Sequence, residues 1–130
     1  MIVLDASVVV ETLLRTPAGE KLDRQLFDSD LELHSPCLLD VEVAQVISRY
    51  WLSGQVDEPR AREAIEDLAD LPINRHEHTL LLPRIWELRS SMTSYDAAYV
   101  ALAEGLRATL LTRDRRLAGA SGHRARISVV

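Results

Sequence analysis

The chain has 130 residues, of which 47% are hydrophobic and 27% charged, with a net charge of −5. That is enough for one hydrophobic core and too apolar for a disordered chain, and no apolar run approaches the ~20 residues of a bilayer span. The start, Met1-Ile2-Val3-Leu4-Asp5, lacks the basic flank of a secretory signal, and the single Cys37 makes no internal disulfide, so the cytoplasm is the expected compartment.

In chain order, Ile2-Val3-Leu4 reads as a short buried strand ending at Asp5. Asp5-Ala6-Ser7 offers cap chemistry for a helix running to about Leu14, which Thr16-Pro17 breaks. A second helix follows from Ala18 to about Phe27, then a strand from Leu31 to Ser35 closed by Pro36. Leu38 to Leu52 is strongly helical, with Gly54 where a left-handed terminating residue is expected. Asp57-Glu58-Pro59 opens a helix that stops near Leu71. Pro72 to His76 reads as a strand and Thr79 to Ser90 as a helix with Pro83 in its first turn. Ser94 is expected to cap a helix that ends before Gly105. Ala108 to Thr112 is a strand, Arg115 to Ala118 a short helix, and Ile127 to Val130 a last strand. Strands alternating with helices predict a single α/β domain with a mostly parallel sheet flanked by helices, and in such sheets the active site lies beyond the carboxyl ends of the strands.

Four acids stand out by their surroundings. Asp5 follows a strand directly, and Asp114 follows another after one intervening arginine; each is also placed to cap the next helix. Glu42 projects from the helix 38–52 between Leu38 and Val46, one turn away on either side, where a carboxylate is costly unless satisfied, for instance by an arginine of another helix. Asp40, two residues back, points elsewhere. Asp96 lies in the first turn of a helix that is apolar or small on nearly every side, where the helix dipole favours an acid. Two acids at strand ends and two on helices that could cover those ends would repel one another if brought together. An all-oxygen carboxylate cluster of that kind selects a hard divalent ion, Mg²⁺ or Mn²⁺. Such ions hold phosphates and promote phosphodiester hydrolysis. The histidines, His34, His76, His78 and His123, are scattered along the chain, and a zinc site is not expected. Neither Ser7 nor Cys37 has a base beside it in sequence, so no covalent nucleophile is assigned.

Charge is unevenly placed. Residues 1–83 carry seven basic and 16 acidic side chains, residues 84–130 eight and four. The late basic residues Arg107, Arg113, Arg115, Arg116, Arg124 and Arg126 could form a local patch for a polyanion even though the whole chain is acidic. Tyr50, Trp51 and Trp86 lie on predicted helices, where they fit core packing or an interface equally well.

Four fragments, Ile2-Val3-Leu4-Asp5-Ala6-Ser7, Pro36 through Glu42-Val43-Ala44, Ser94-Tyr95-Asp96-Ala97-Ala98-Tyr99 and Leu110-Leu111-Thr112-Arg113-Asp114, occur in order with an acid in each. In them the chain resembles the PIN-domain family, specifically the short VapC-type ribonuclease toxins of toxin–antitoxin pairs. The resemblance implies that Asp5, Glu42, Asp96 and Asp114 form a catalytic, metal-binding quartet. Asp5, Asp96 and Asp114 would hold one Mg²⁺ or Mn²⁺, and Glu42 would share that ion or a second. Ser7 and Thr112 match hydroxyl residues that orient the carboxylates, with helix capping and strand surface as their plainer roles. The implied activity is metal-dependent endoribonuclease cleavage of RNA. The implied partners are a second copy in a homodimer and a small antitoxin that covers the acidic site; no membrane is involved. Three rivals remain: a catalytically silent PIN-like binding module, a phosphoacceptor receiver domain (which needs a late lysine, whereas the only one is Lys21), and a DNA flap nuclease, for which 130 residues leave little room.

Overall fold

The computed structural model describes residues 1–130. Five strands, β1 (Ile2–Leu4), β2 (Leu33–Pro36), β3 (Ile73–His76), β4 (Thr109–Thr112) and β5 (Arg126–Val129), form one sheet in the order β3-β2-β1-β4-β5, every pair parallel. Parallel strands need crossovers, and helices supply them. These are α1 (Ala6–Leu13) and α2 (Pro17–Leu26) between β1 and β2, then α3 (Leu38–Leu52) and α4 (Glu58–Asp70) between β2 and β3. A 3₁₀ turn (Thr79–Leu81), α5 (Leu82–Glu87) and α6 (Ser94–Leu106) lead to β4, and α7 (Arg115–Ala118) joins β4 to β5.

β1 is central and its Val3 and Leu4 are fully buried, as is Leu110 of β4. Each such side chain contributes about 1.5–3 kcal/mol by leaving water. α6 buries an unbroken run from Ala97 to Ala103, against the sheet and against α5. After β1 the chain goes first to one side of the sheet, for β2 and β3, and later to the other, for β4 and β5. The order therefore reverses between β1 and β4, which pair Leu4 with Leu111. A crevice opens at such a switch point, beyond the carboxyl ends of the strands.

Beyond shifts of one residue at the ends of α1, α2, β3, β4 and β5, the elements differ from the sequence reading in four places. β2 starts two residues later than expected and includes Pro36, whose Cα pairs with His76. The helix expected over Thr79–Ser90 is a 3₁₀ turn followed by only six α-helical residues, with Pro83 in the first turn of the latter. The cap of α6 is Thr93, not Ser94; its hydroxyl accepts from the Asp96 N–H at 3.2 Å. α6 also runs through Gly105 to Leu106, because Arg107, at φ 53°, takes the left-handed position that a glycine usually occupies.

Candidate active site

Asp5 follows β1 as the N-cap of α1. Its Oδ1 accepts from the Val8 N–H at 3.3 Å and from the Ser7 hydroxyl at 2.5 Å. Its Oδ2 accepts from the hydroxyl of Thr112, the last residue of β4, which is fully buried. Thr112 Oγ1 in turn accepts from the Asp114 N–H at 2.9 Å, and Ser7 Oγ from the Arg113 N–H at 3.0 Å. Two hydroxyls thus tie the end of β1 to the end of β4 and orient both acidic loops. Asp114 also caps α7, accepting from the Arg116 N–H at 2.9 Å. For Asp5 and Asp114, capping and site placement are the same geometry: a side chain that turns back to a helix start at a strand's carboxyl end also faces the crevice there.

Glu42 and Asp96 enter from the covering helices. Asp5, Glu42, Asp96 and Asp114 all line one cleft of about 400 Å³, together with Ser7, Glu11, Arg49, Tyr99 and Arg113. Glu42 has no ion pair with an arginine; its partner is the Tyr99 hydroxyl, which donates to Oε2 at 3.3 Å. Asp40 is elsewhere, paired with Arg75 at 2.9 Å. Thr112 lies beneath the cleft floor, behind Asp5.

Electrostatics show that the acids interact. Burial pushes the Asp5 carboxyl above its ordinary value, against the hydrogen bonds from Ser7 and Thr112 that pull it down. Burial raises Glu42 as well, and the charges of Asp96 and Asp5 raise it further. Asp96 is raised by burial and then by the charge of Asp114. Burial works upward on Asp114 too, but the hydrogen bonds from Arg116 outweigh it and hold this acid low. Tyr99 is raised by burial and by Glu42, Asp5 and Asp96, so its hydroxyl stays protonated at any ordinary pH. The donor set is all oxygen, largely anionic and in part desolvated, which fits a hard divalent cation. The four acids line an open wall; no three His, Cys, Asp or Glu side chains converge tightly enough to enclose an ion as they stand.

Tyr99, Glu11 and Arg49 are cleft residues that the sequence reading did not single out, and Arg113, expected in a late basic patch, lines the acidic cleft. Tyr99 follows Asp96 by three positions, the spacing that puts two side chains on one helix face, and that was its available signal. Arg113 adjoins Asp114 and pairs with Glu11 of α1 at 3.5 Å, a contact visible only in the fold. The histidines are less scattered than their spacing suggests: His34 of β2 and His76 of β3 lie side by side, Nδ1 to Nε2 at 2.9 Å, and His78 Nε2 accepts from the Leu38 N–H at 3.0 Å. Of the aromatic residues, Tyr50 is half-buried and lines the cleft, while Trp51 and Trp86 are largely exposed.

The sequence matches the PIN domain family over residues 2–122. It is 40% identical over 130 residues to Ribonuclease VapC12 of Mycobacterium tuberculosis, covering 100% of this chain and 99% of that one. Among solved structures, PAE2754 of Pyrobaculum aerophilum superposes with a TM-score of 0.74 at 20% identity, over 97% of this chain and 81% of that chain. VapBC2 of Rickettsia felis, solved bound to a DNA fragment of its promoter, superposes with a TM-score of 0.71 at 13% identity, over 99% and 98%. At those identities the structural likenesses speak for the fold.

Proposed function

The chain belongs to the PIN-domain family of VapC ribonucleases, and we propose that it is itself an endoribonuclease that hydrolyses RNA phosphodiester bonds with Mg²⁺ or Mn²⁺. The observation that carries this reading is that four acids, from two strand ends and two helices, line one cleft, where the charges of Asp96 and Asp5 act on Glu42 and that of Asp114 on Asp96. When bound, the cation would activate water and neutralise charge developing on the phosphate. Asp5, Asp96 and Asp114 are the residues to hold it, with Glu42 sharing that ion or a second.

The chain's own contribution is positioning. Ser7 and Thr112 fix the Asp5 carboxylate through one oxygen each, and Thr112 also fixes the Asp114 loop. Both oxygens of Asp5 are thereby aimed before any ligand arrives. Tyr99, protonated throughout, donates to Glu42 and orients its carboxylate. Arg49 and Arg113 are the cations at the cleft for a scissile phosphate. Ser7 is already engaged as donor to Asp5 and acceptor from Arg113, which leaves it unsuited to be a nucleophile.

The biological role we propose is that of a homodimeric cytoplasmic toxin held in check by a small antitoxin protein. An anionic cleft is a natural receptor for an arginine of such a partner. No helix is long and apolar enough to cross a membrane.

The test is cleavage of end-labelled transfer and ribosomal RNA by the purified protein, with Mg²⁺ or Mn²⁺ and with EDTA. Asp5→Asn and Asp96→Asn are each expected to lower the rate at least about 100-fold, since each removes a ligand charge, while circular dichroism stays native. Cleavage by either variant at the parent rate overturns the assignment. A calorimetric Mn²⁺ titration without heat in the parent would favour the silent binding module instead.

A further inference from the structure

The acidic cleft cannot by itself account for affinity toward a polyanion. Its walls carry five carboxylates, Asp5, Glu11, Glu42, Asp96 and Asp114, against two arginines, of which Arg113 is already paired with Glu11. The molecule as a whole is also acidic. Cations for an RNA backbone have to be concentrated somewhere else on the surface.

Eight basic side chains have no ion pair: Lys21, Arg24, Arg49, Arg89, Arg107, Arg115, Arg124 and Arg126. Three of these, Arg107, Arg124 and Arg126, line one cavity of about 510 Å³ at the amino ends of β4 and β5. The one acid in that wall, Glu104, is already neutralised. It pairs with Arg84 at 2.8 Å and also accepts from the Arg124 N–H at 2.7 Å. Arg84 reaches on to the Gly122 carbonyl at 3.0 Å, so a largely buried ion pair clamps the loop before β5 to α6 and sets Arg124 at the cavity mouth. Arg126 Nη2 donates to the Arg107 backbone carbonyl, which ties the Arg126 side chain to the turn after α6. Arg107 itself occupies a left-handed backbone position at φ 53°, where glycine or asparagine is usual and arginine is not.

We propose that this cavity is a second RNA site, an anchor for backbone phosphates remote from the scissile bond. The proposal rests on the ribonuclease reading, because that reading supplies the polyanion. Three guanidinium groups without an ion-pair contact in one concavity suit bidentate phosphate contacts and offer nothing that reads a base. α6 connects the two sites: Asp96 is in its first turn at the cleft and Arg107 follows its last residue at the cavity. Eleven residues of helical rise separate them by about 16 Å, a distance that an RNA strand of several nucleotides spans. The anchor holds RNA non-specifically while the repulsive cleft takes a phosphate once its charge is offset.

The experiment measures binding of a fluorescein-labelled 30-nucleotide single-stranded RNA at 50 to 200 mM salt. The parent is the full chain carrying Asp5→Asn, so that the RNA is not cut. Replacing Arg107, Arg124 and Arg126 by Gln is expected to flatten the slope of log K against log salt by about 2, at ~0.7 per lost phosphate contact. Replacing all three by Lys should keep most of the slope while weakening binding severalfold. Lys21→Gln with Arg24→Gln, two unpaired charges on α2, should leave it unchanged. If the triple Gln variant misfolds by circular dichroism, the exposed Arg126→Gln alone should flatten the slope by ~0.7. A slope equal to the parent's in the folded Gln variants overturns the anchor and leaves the ribonuclease reading intact. No RNA binding by the parent at 50 mM salt overturns both readings, whereas cleavage by the chain with Asp5 restored tests the ribonuclease reading alone.

Discussion

Thr112 does more for the site than a strand-surface threonine would. Its hydroxyl is the one group that touches both strand-end acids, donating to Asp5 and accepting from the N–H of Asp114, and it is fully buried. Thr112→Val keeps the shape and removes both contacts. The buried Asp5 oxygen and Asp114 N–H then lose a partner, so the variant is expected to lose about 1–3 kcal/mol of stability in urea unfolding. Because the two carboxylates are no longer oriented relative to each other, RNA cleavage should fall about 10–100-fold at saturating metal. Thr112→Ser, which restores the hydroxyl, should recover most of the activity. Full cleavage by the Val variant would mean that the hydroxyl contributes packing only.

At the scale of elements, close approaches decide what is tolerated. α2 crosses α1 at Gly19, where an added Cβ would fall on the Glu11 carbonyl. Gly19→Ala must therefore separate the two helices, and a cost of about 1–3 kcal/mol in urea unfolding is expected, of the size seen for overpacked cores. A variant as stable as the parent would show that α2 shifts freely. The same two helices illustrate what was legible beforehand. Thr16-Pro17 announces the break between them, because cap and proline chemistry are local, although Thr16 also caps the second helix, which starts at Pro17 and not Ala18. The four acids were legible for a similar reason: an apolar strand that ends on a carboxylate, or a carboxylate on an apolar helix, is a local anomaly. Tyr99 was not legible as a cleft residue, because an aromatic ring in an apolar helix reads as core, and its ring is indeed buried while its hydroxyl reaches Glu42. Nor were Arg49 and Arg113, whose place depends on which helix faces meet. The reversal of strand order between β1 and β4, which opens the crevice, is a property of the whole topology and leaves no trace in any single segment.

Over the whole molecule, the cleft of five carboxylates lies beyond the carboxyl ends of β1 and β4, and the cavity of three unpaired arginines at the amino ends of β4 and β5. The acidic end makes the metal-free fold sensitive to pH. Asp5, Glu42 and Asp96 all have raised values in the folded chain, so the folded state holds their protons more tightly than the unfolded state does. Their contribution to stability is complete below the ordinary carboxylate range and is lost as pH rises through the raised values. Asp114 and Glu104, held low, act in the opposite sense and lose their contribution as pH falls. The three raised acids therefore favour a metal-free chain at mildly acidic pH over neutral pH, and Asp114 opposes them. A divalent ion needs the ionised carboxylates and binds only the folded form. Saturating Mg²⁺ at about 100 times its dissociation constant should thus add about 2.7 kcal/mol near pH 7, and progressively less from there toward pH 4 as Asp5, Glu42 and Asp96 take up protons. Thermal unfolding with Mg²⁺ and with EDTA across that range measures the difference. Asp5→Asn should narrow the gap between the two curves at pH 7. A gap that does not change with pH, or that survives unaltered in this variant, would place the ion outside the cleft.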